Sequence, residues 1–323
     1  MAEELKAMLR HANWIIFELW QLWILTSREA AAKRVPQAVV LLLYKWRMVG
    51  IPNRNSEDAR PIAIASCIVR CWHSALNQQL PDPPNEQWCG KKASGVVEAC
   101  ADWLRLPSDA GSEQDLAKAL DLVGPDVAQT ALRWHGAAEE VVATLALGWS
   151  GERYCHVRGE VARPIAPTRG LPPGDPPSPK VLAFVIAPWH GLVERQTDCK
   201  TRAYMDDRSL KARRRERRNA NRKRMAGPGP RTGEEMEPES EVSEAEVERQ
   251  QQQVSAAIDI TARFDEAIGL KENVKKRQLW TRDQKVEHLG LRCQGGAEAN
   301  SADVAAPEGS SAGHNQKVGK APG

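Results

Sequence analysis

Paired cysteines, bilayer-length apolar runs and internal repeats are all missing from this chain, and each absence excludes something. The seven cysteines, Cys67, Cys71, Cys89, Cys100, Cys155, Cys199 and Cys293, are scattered, odd in number and contain no C-x-x-C pair. That argues against a disulfide framework and for a reducing, intracellular compartment, nuclear if the source is eukaryotic. Cys67, Cys71 and His73 lie near one another, but their spacing fits no common zinc pattern and no second ligand pair follows. Core cysteines on a helix face are therefore expected. The apolar stretch 14–25 is too short to span a bilayer and contains Glu18 and Gln21, so no membrane partner is expected. No basic segment followed by a cleavage site marks a signal peptide. Phe and Tyr number only 3 each against 11 Trp, and filling core positions is the expected use of that tryptophan.

What is present is enough for one large domain or two small ones: 323 residues, 41% of them hydrophobic. The net charge of +3 hides a strong asymmetry. Arg208, Lys211, Arg213, Arg214, Arg215, Arg217, Arg218, Arg222, Lys223 and Arg224 form a basic block. After a Pro/Gly hinge at 227–233 comes an acidic block running from Glu234 to Glu248. Such blocks bury no core, so 211–253 reads as a charged, disordered insertion. The Gly/Ala/Ser-rich tail 295–323 reads as disordered too.

Between these segments the pattern is that of alternating helices and strands. Residues 1–38 read as a helical region with an apolar stripe through Leu9, Ile16, Trp20 and Trp23. Residues 39–44 suit a short buried strand, 51–60 a turn, and 62–76 and 94–104 helices. Acidic residues frame a short apolar segment at 114–123. Residues 153–158 alternate like a strand, 164–179 form a Pro/Gly-constrained loop, 181–193 a buried helix, and 202–210 a β-hairpin around an acidic turn.

Nucleotidyl transfer needs two divalent cations, about 3.5–4 Å apart, held by carboxylates. Magnesium takes only a few protein carboxylates, its other ligands being water and substrate phosphate. A chain performing it should carry acids at two distant places on short rigid strands. Asp115 in EQDLAKALDLV and Asp206-Asp207 in RAYMDDRSL meet that requirement, although an isolated Asp pair in a turn is more often simply solvated.

Here the pair is not isolated. Tyr204-Met205-Asp206-Asp207 is similar to the hallmark tetrapeptide of reverse transcriptases, and DLAKALD resembles their first palm motif. RGLPPGDPPSP at 169–179 resembles their GLPQGDxxSP loop. GLKENVKK at 269–276 resembles the following GLxxNxxK motif, and HLGLRC at 288–293 the Leu-Gly primer-grip turn. Upstream, Lys45 and ARPIAIASCIVR at 59–70 resemble the fingers, and QWCG at 87–90 stands where the family often has Q-x-G. The matches run in order over roughly 39–293, with a flavour closest to non-LTR retroelement and group II intron enzymes.

The resemblance implies an α+β, right-hand polymerase with fingers at 39–110 and an antiparallel palm sheet flanked by helices at 111–210. The end of the palm and a primer-grip-like turn follow at 254–294, with no full thumb beyond. It implies RNA-directed DNA synthesis from deoxynucleotide triphosphates on a primed RNA or DNA template, with two Mg2+ ions, or Mn2+, held by Asp115, Asp206 and Asp207. Leu116 would offer a backbone carbonyl to a metal. Arg60, and more loosely Lys45, would contact the triphosphate, and Lys276 would lie near it as a proton donor. Gly174 would let the backbone approach the nascent base pair. Leu120 replaces the Phe or Tyr that normally blocks a ribose 2′-hydroxyl, and Pro173 replaces the loop Gln. A second reading stays open: a decayed retroelement copy that at most binds nucleic acid.

Overall fold

The computed structural model describes residues 13–52, 59–84, 100–101, 103–157, 160–214 and 243–281, all within the unit Met1–Leu289. Helix α1 (Asn13–Ala31) lays Trp23 parallel to Trp72, ring centroids 6.0 Å apart. Extended Pro36 then admits the short helix α2 (Gln37–Leu43), whose one buried residue is Val40. The buried strand expected at 39–44 is thus a helix instead, because so short an apolar run has no period to separate the two. The strand is the next segment. β1 (Trp46–Pro52) pairs antiparallel with β2 (Ala59–Ile64), from Arg47 opposite Ile64 to Pro52 opposite Ala59. The turn signal at 51–60 marks the tip of this hairpin, of which 53–58 lie outside the described residues.

Ser66 starts α3 (Cys67–Gln79), its Oγ accepting from the Val69 N–H at 3.3 Å. The helix expected over 62–76 therefore loses Ile62, Ala63 and Ile64 to β2. Val69, Trp72, His73 and Leu76 are its buried residues, spaced as one helical face. Cys67 and Cys71 are exposed rather than core residues; they fall off that face. The helix expected at 94–104 lies outside the described residues up to residue 99.

The acid-framed segment at 114–123 divides. β3 (Ala110–Asp115) ends at the carboxylate, and Lys118 at φ 51° turns the chain into the single turn α4 (Ala119–Leu122). Pro125 opens α5 (Pro125–Trp134), where its missing N–H costs nothing. Then come α6 (Glu139–Trp149), β4 (Arg153–Val157) and β5 (Glu160–Val161). Helix α7 (Ser178–Gln196) is buried on all sides from Val181 to Ala187, as expected of that apolar run. β6 (Cys199–Tyr204) and β7 (Asp207–Ala212) are the expected hairpin. Helix α8 (Glu244–Ile268) closes at Gly269, φ 75°, before a 3-10 turn at Val274–Lys276 and β8 (Gln278–Thr281).

Among the described residues the strands form two four-stranded sheets. The first, β2-β1-β4-β5, is mixed, since β1 runs parallel to β4. The second, β6-β7-β3-β8, is antiparallel throughout. Helices α7 and α8 pack against this second sheet and each other, covering the face that carries Cys199, Thr201, Ala203, Arg208 and Leu210, all buried. The class is α+β with an antiparallel sheet flanked by helices, as expected. β4 and β5 belong to the first sheet although they fall within 111–210, so the two sheets do not divide at residue 110. Trp46, Trp149 and Trp189 fill the core; Trp14, Trp20 and Trp134 are exposed. Among the described residues no helix is long and apolar enough to cross a membrane.

The charged segment read as 211–253 is shorter than expected, because both of its ends belong to the fold. Lys211 and Ala212 complete β7, and Lys211 Nζ donates to the Trp103 carbonyl at 2.7 Å. Residues 244–253 are the start of α8, where Glu244 and Glu246 suit the positive end of a helix. Arg249 ties the two flanks together, reaching Asp198 Oδ2 at 3.1 Å and the Arg213 carbonyl at 2.8 Å. Gln250 and Gln253 accept from the Asp109 and Asp198 N–H groups. Residues 215–242, like 288–293 and 295–323, lie outside the described residues. Replacing 215–242 by about eight Gly/Ser residues should leave the fold intact, because loop closure changes by only about 0.6 kcal/mol per doubling of length. A denaturant midpoint that falls by more than this allows would make the segment part of the folded body.

Candidate active site

Alternation along β3 and β7 decides which side chains meet. Gln114 and Arg208 are buried in the helix-covered face, so Asp115 and Asp207 point to the other side. The register sets these two directly opposite each other, where facing Cβ atoms are about 4.5–5.5 Å apart. Asp206 follows in the two-residue turn, after Met205 at φ 54°. A non-glycine residue in that region costs of order 1–3 kcal/mol, so the surrounding pairs must hold the turn. The Asp206 carbonyl accepts from the Leu116 N–H at 2.9 Å, fastening the turn to the end of β3. The three acids, far apart in sequence, thus converge at one end of the antiparallel sheet.

A third segment joins them. Asn273 N–H donates to the Asp115 carbonyl at 2.7 Å, and Ala117 N–H to that of Lys271 at 2.7 Å. These bonds bring Lys276 Nζ to 3.3 and 3.2 Å from the two Asp115 oxygens. Lys276 is largely exposed, so the pair contributes little to stability. Partial burial first, then Asp206 and Asp115, push the Asp207 carboxyl above its ordinary value, against the opposing pull of Lys276. Three carboxylates face one ammonium, and the excess negative charge suits a cation that uses substrate oxygens for its remaining ligands. Among the described residues no three Asp, Glu, His or Cys side chains form a ready-made metal cage.

Of the other expected residues, Leu116 adjoins this end and the rest are placed by their own elements. Leu116 is buried as a side chain. Leu120 is half-buried against the core, and its carbonyl accepts from the Leu171 N–H at 2.8 Å. Gly174 lies at φ 103°, where a Cβ would come within 2.9 Å of the Ala63 carbonyl oxygen and of Ile62 Cγ2. Its need for glycine therefore comes from close approach to β2. Arg60 on β2 and Lys45 just before β1 are exposed, and neither forms an ion pair with the three carboxylates. The motif-like segments 87–90 and 288–293 lie outside the described residues.

Several contacts give no sign of themselves in the sequence. Arg208, read as the first of a solvated basic block, is fully buried. It donates to both Asp265 oxygens at 2.7 Å, with its guanidinium 5.2 Å from the Trp189 ring centroid. Glu113, two residues before Asp115 and therefore on its side of β3, accepts from the Ser209 hydroxyl. Burial pushes its carboxyl above the ordinary value. His73 and Asp175 form a buried pair that spans 102 positions. Only the alternation of Asp207 and Arg208 along a strand could have hinted at any of these.

No protein-family model matches the chain, and no curated protein matches it. Among solved structures, the chain is similar to apo telomerase from Candida tropicalis truncated from its C-terminal domain, with TM-score 0.49 and 8% identity over 74% of this chain and 50% of that one. It is also similar to telomerase from Candida albicans in complex with a fragment of telomeric RNA, with TM-score 0.48 and 12% identity over 77% of this chain and 44% of that one. The chain spans about half the length of these structures.

Proposed function

We propose that this chain is a reverse transcriptase-like polymerase of the retroelement type, adding deoxynucleotides to a primer on an RNA or DNA template. One observation carries the reading: Asp115 and Asp207 oppose each other at the end of an antiparallel sheet, with Asp206 beside them in the turn. Asp115, Asp206 and Asp207 would hold magnesium. When bound, that metal supplies Lewis-acid stabilisation of phosphate charge and lowers the pKa of an attacking hydroxyl.

The chain's own groups would orient the substrate around that centre. Lys276, already at Asp115, would turn to the triphosphate or donate a proton to the leaving group. Arg60 on β2 would clamp phosphate oxygens, with Lys45, at the opposite end of the hairpin, only a looser candidate. A guanidinium suits such oxygens by its fork of donors. Leu116 would offer its carbonyl to the metal. Leu120 and the backbone at Gly174 would border the sugar and base.

Primer extension on an RNA template with magnesium tests the reading. The wild-type chain should extend, and Asp206→Ala should not. Leu120→Phe should raise the preference for deoxy- over ribonucleotides by roughly tenfold, the size of a modest steric discrimination. An unchanged ratio would make Leu120 a core residue and nothing more. The alternative, a nucleic-acid-binding remnant, is favoured by the Lys276–Asp115 pair, which occupies one of the three carboxylates. Template binding without extension by the wild-type chain would establish it.

A further inference from the structure

The loop at 169–178 is held from several sides, among them β4, whose Arg153 guanidinium donates to the Gly170 carbonyl at 2.8 Å. Toward α4, its Gly170 and Leu171 N–H groups donate to the Val123 and Leu120 carbonyls at 2.9 and 2.8 Å. Toward β2, the Pro173 carbonyl accepts from the Ala63 N–H, and Gly174 abuts Ala63 and Ile62. Toward α3, a single side-chain bond joins it: His73 Nδ1 lies 2.7 Å from Asp175 Oδ1, and both side chains are 0% exposed.

That bond sits in an aromatic box. The rings of Tyr44, Trp46 and Trp72 lie 5.7, 6.2 and 6.2 Å from the imidazole. Gly148 makes the room, since a Cβ there would be 2.6 Å from His73 Cε1. Three buried polar atoms of the box, His73 Nε2, Asp175 Oδ2 and Tyr44 Oη, have no hydrogen-bond partner among the described residues. Burial, then Asp175, push the Tyr44 phenol above its ordinary range. Leaving polar atoms unmatched in a core is unfavourable, and an apolar pair of similar shape would be at least as stable. What the polar pair adds is one defined geometry. Lys180, in the first turn of α7, reinforces it by donating to the Leu80 carbonyl at 2.9 Å, just past the end of α3.

We propose that His73 and Asp175 are positioning residues, a buried latch that fixes the 169–178 loop against α3 and thereby sets the pocket edge made by Leu120 and Gly174. The pocket in this statement rests on the polymerase reading; the latch itself does not. Neither residue touches the nucleotide, so their effect on selectivity would be transmitted through the Leu171–Leu120 and Pro173–Ala63 bonds.

Hydrogen exchange on the full chain tests the latch without requiring activity. Asp175→Leu removes the acceptor while keeping bulk, and Asp175→Asn keeps an acceptor oxygen for His73. With Leu, the amides of Ala63, Gly170 and Leu171 should exchange roughly tenfold faster or more, as expected of a local opening. Those of Leu116 and Ala117, bonded within the carboxylate end, should not change. With Asn, exchange should stay near wild type. His73→Phe should reproduce the Leu pattern. A uniform rise at all five amides, or no rise at the three, overturns the proposal. If the wild-type chain extends primers, Asp175→Leu should shift the deoxy-to-ribo ratio more than the rate with the preferred nucleotide, and an unchanged ratio overturns the proposal too. If the wild-type chain extends nothing, the polymerase reading fails while the three amides still decide the latch.

Discussion

Asp207→Asn is expected to have two effects of opposite sign: nucleotide incorporation stops, and the metal-free protein becomes more stable above acidic pH. The loss should exceed about a hundredfold, since altering groups that merely support metal ligands already costs 10–100-fold. The gain follows from the same geometry. The Asp207 carboxyl is held above its ordinary value of 3.8 by partial burial and by its two carboxylate neighbours. The folded state therefore keeps that proton longer than the unfolded state does. Its contribution is most favourable below pH 3.8 and declines as pH rises through the raised folded value. Asparagine removes the decline, so in chelator the variant should gain on wild type as pH rises from about 4 to 7. Magnesium should raise the melting temperature of wild type and much less that of the variant. A variant that loses activity and also loses stability throughout that pH range would mean that Asp207 is a structural residue.

Breaking the buried Arg208–Asp265 pair is expected to cost about 3–5 kcal/mol, enough to unfold a marginal domain. Arg208 is fully buried, and its two bonds to Asp265 are bidentate and 2.7 Å long. Asp265→Ala leaves a guanidinium in the core beneath Trp189, whose own Nε1 is engaged by Thr261 Oγ1 at 2.8 Å. Water cannot compensate there without opening the packing of α7 and α8 on the sheet. Replacing both partners, Arg208→Met with Asp265→Leu, should recover most of the loss, because apolar side chains of similar volume avoid the desolvation of two charges. Denaturant midpoints of the two single variants and the double variant give the coupling. A double-variant loss equal to the sum of the two single losses would mean that the two residues act independently. Because Arg208 follows Asp207, the pair also fixes the strand register on which the carboxylates depend.

The local pattern made some parts of this arrangement legible and concealed others. The carboxylate hairpin was readable because two alternating strands flank a two-residue acidic turn, and the buried helix at 181–193 because its apolar run is long. The helix at Gln37–Leu43 was not, since seven residues with one buried side chain carry no usable period. Arg208 and Lys211 looked like the start of a basic block because composition averages over neighbours, whereas a strand sends alternate residues to opposite faces. His73 drew attention only through nearby cysteines; its partner lies 102 positions away. Glycine at 174 could be read as necessary, but the contact that requires it, the β2 backbone, could not.

β3 occupies an interior place in its sheet, yet both of its neighbours, β7 and β8, are made later. Synthesis at about 5–20 residues per second separates Asp115 from Lys276, 161 positions on, by roughly 8–30 s. During that interval the growing polypeptide carries a strand with two open edges until β7 is made and one thereafter, each able to template pairing with another chain. β7 closes one edge, but the charged insertion and α8 must then be made before β8 can close the other. Longer insertions at this point would prolong the period of vulnerability even where they leave the finished protein's stability unchanged. The tolerance of this architecture to such insertions is therefore set by the time a ribosome and its attendant chaperones can shelter one half-paired strand.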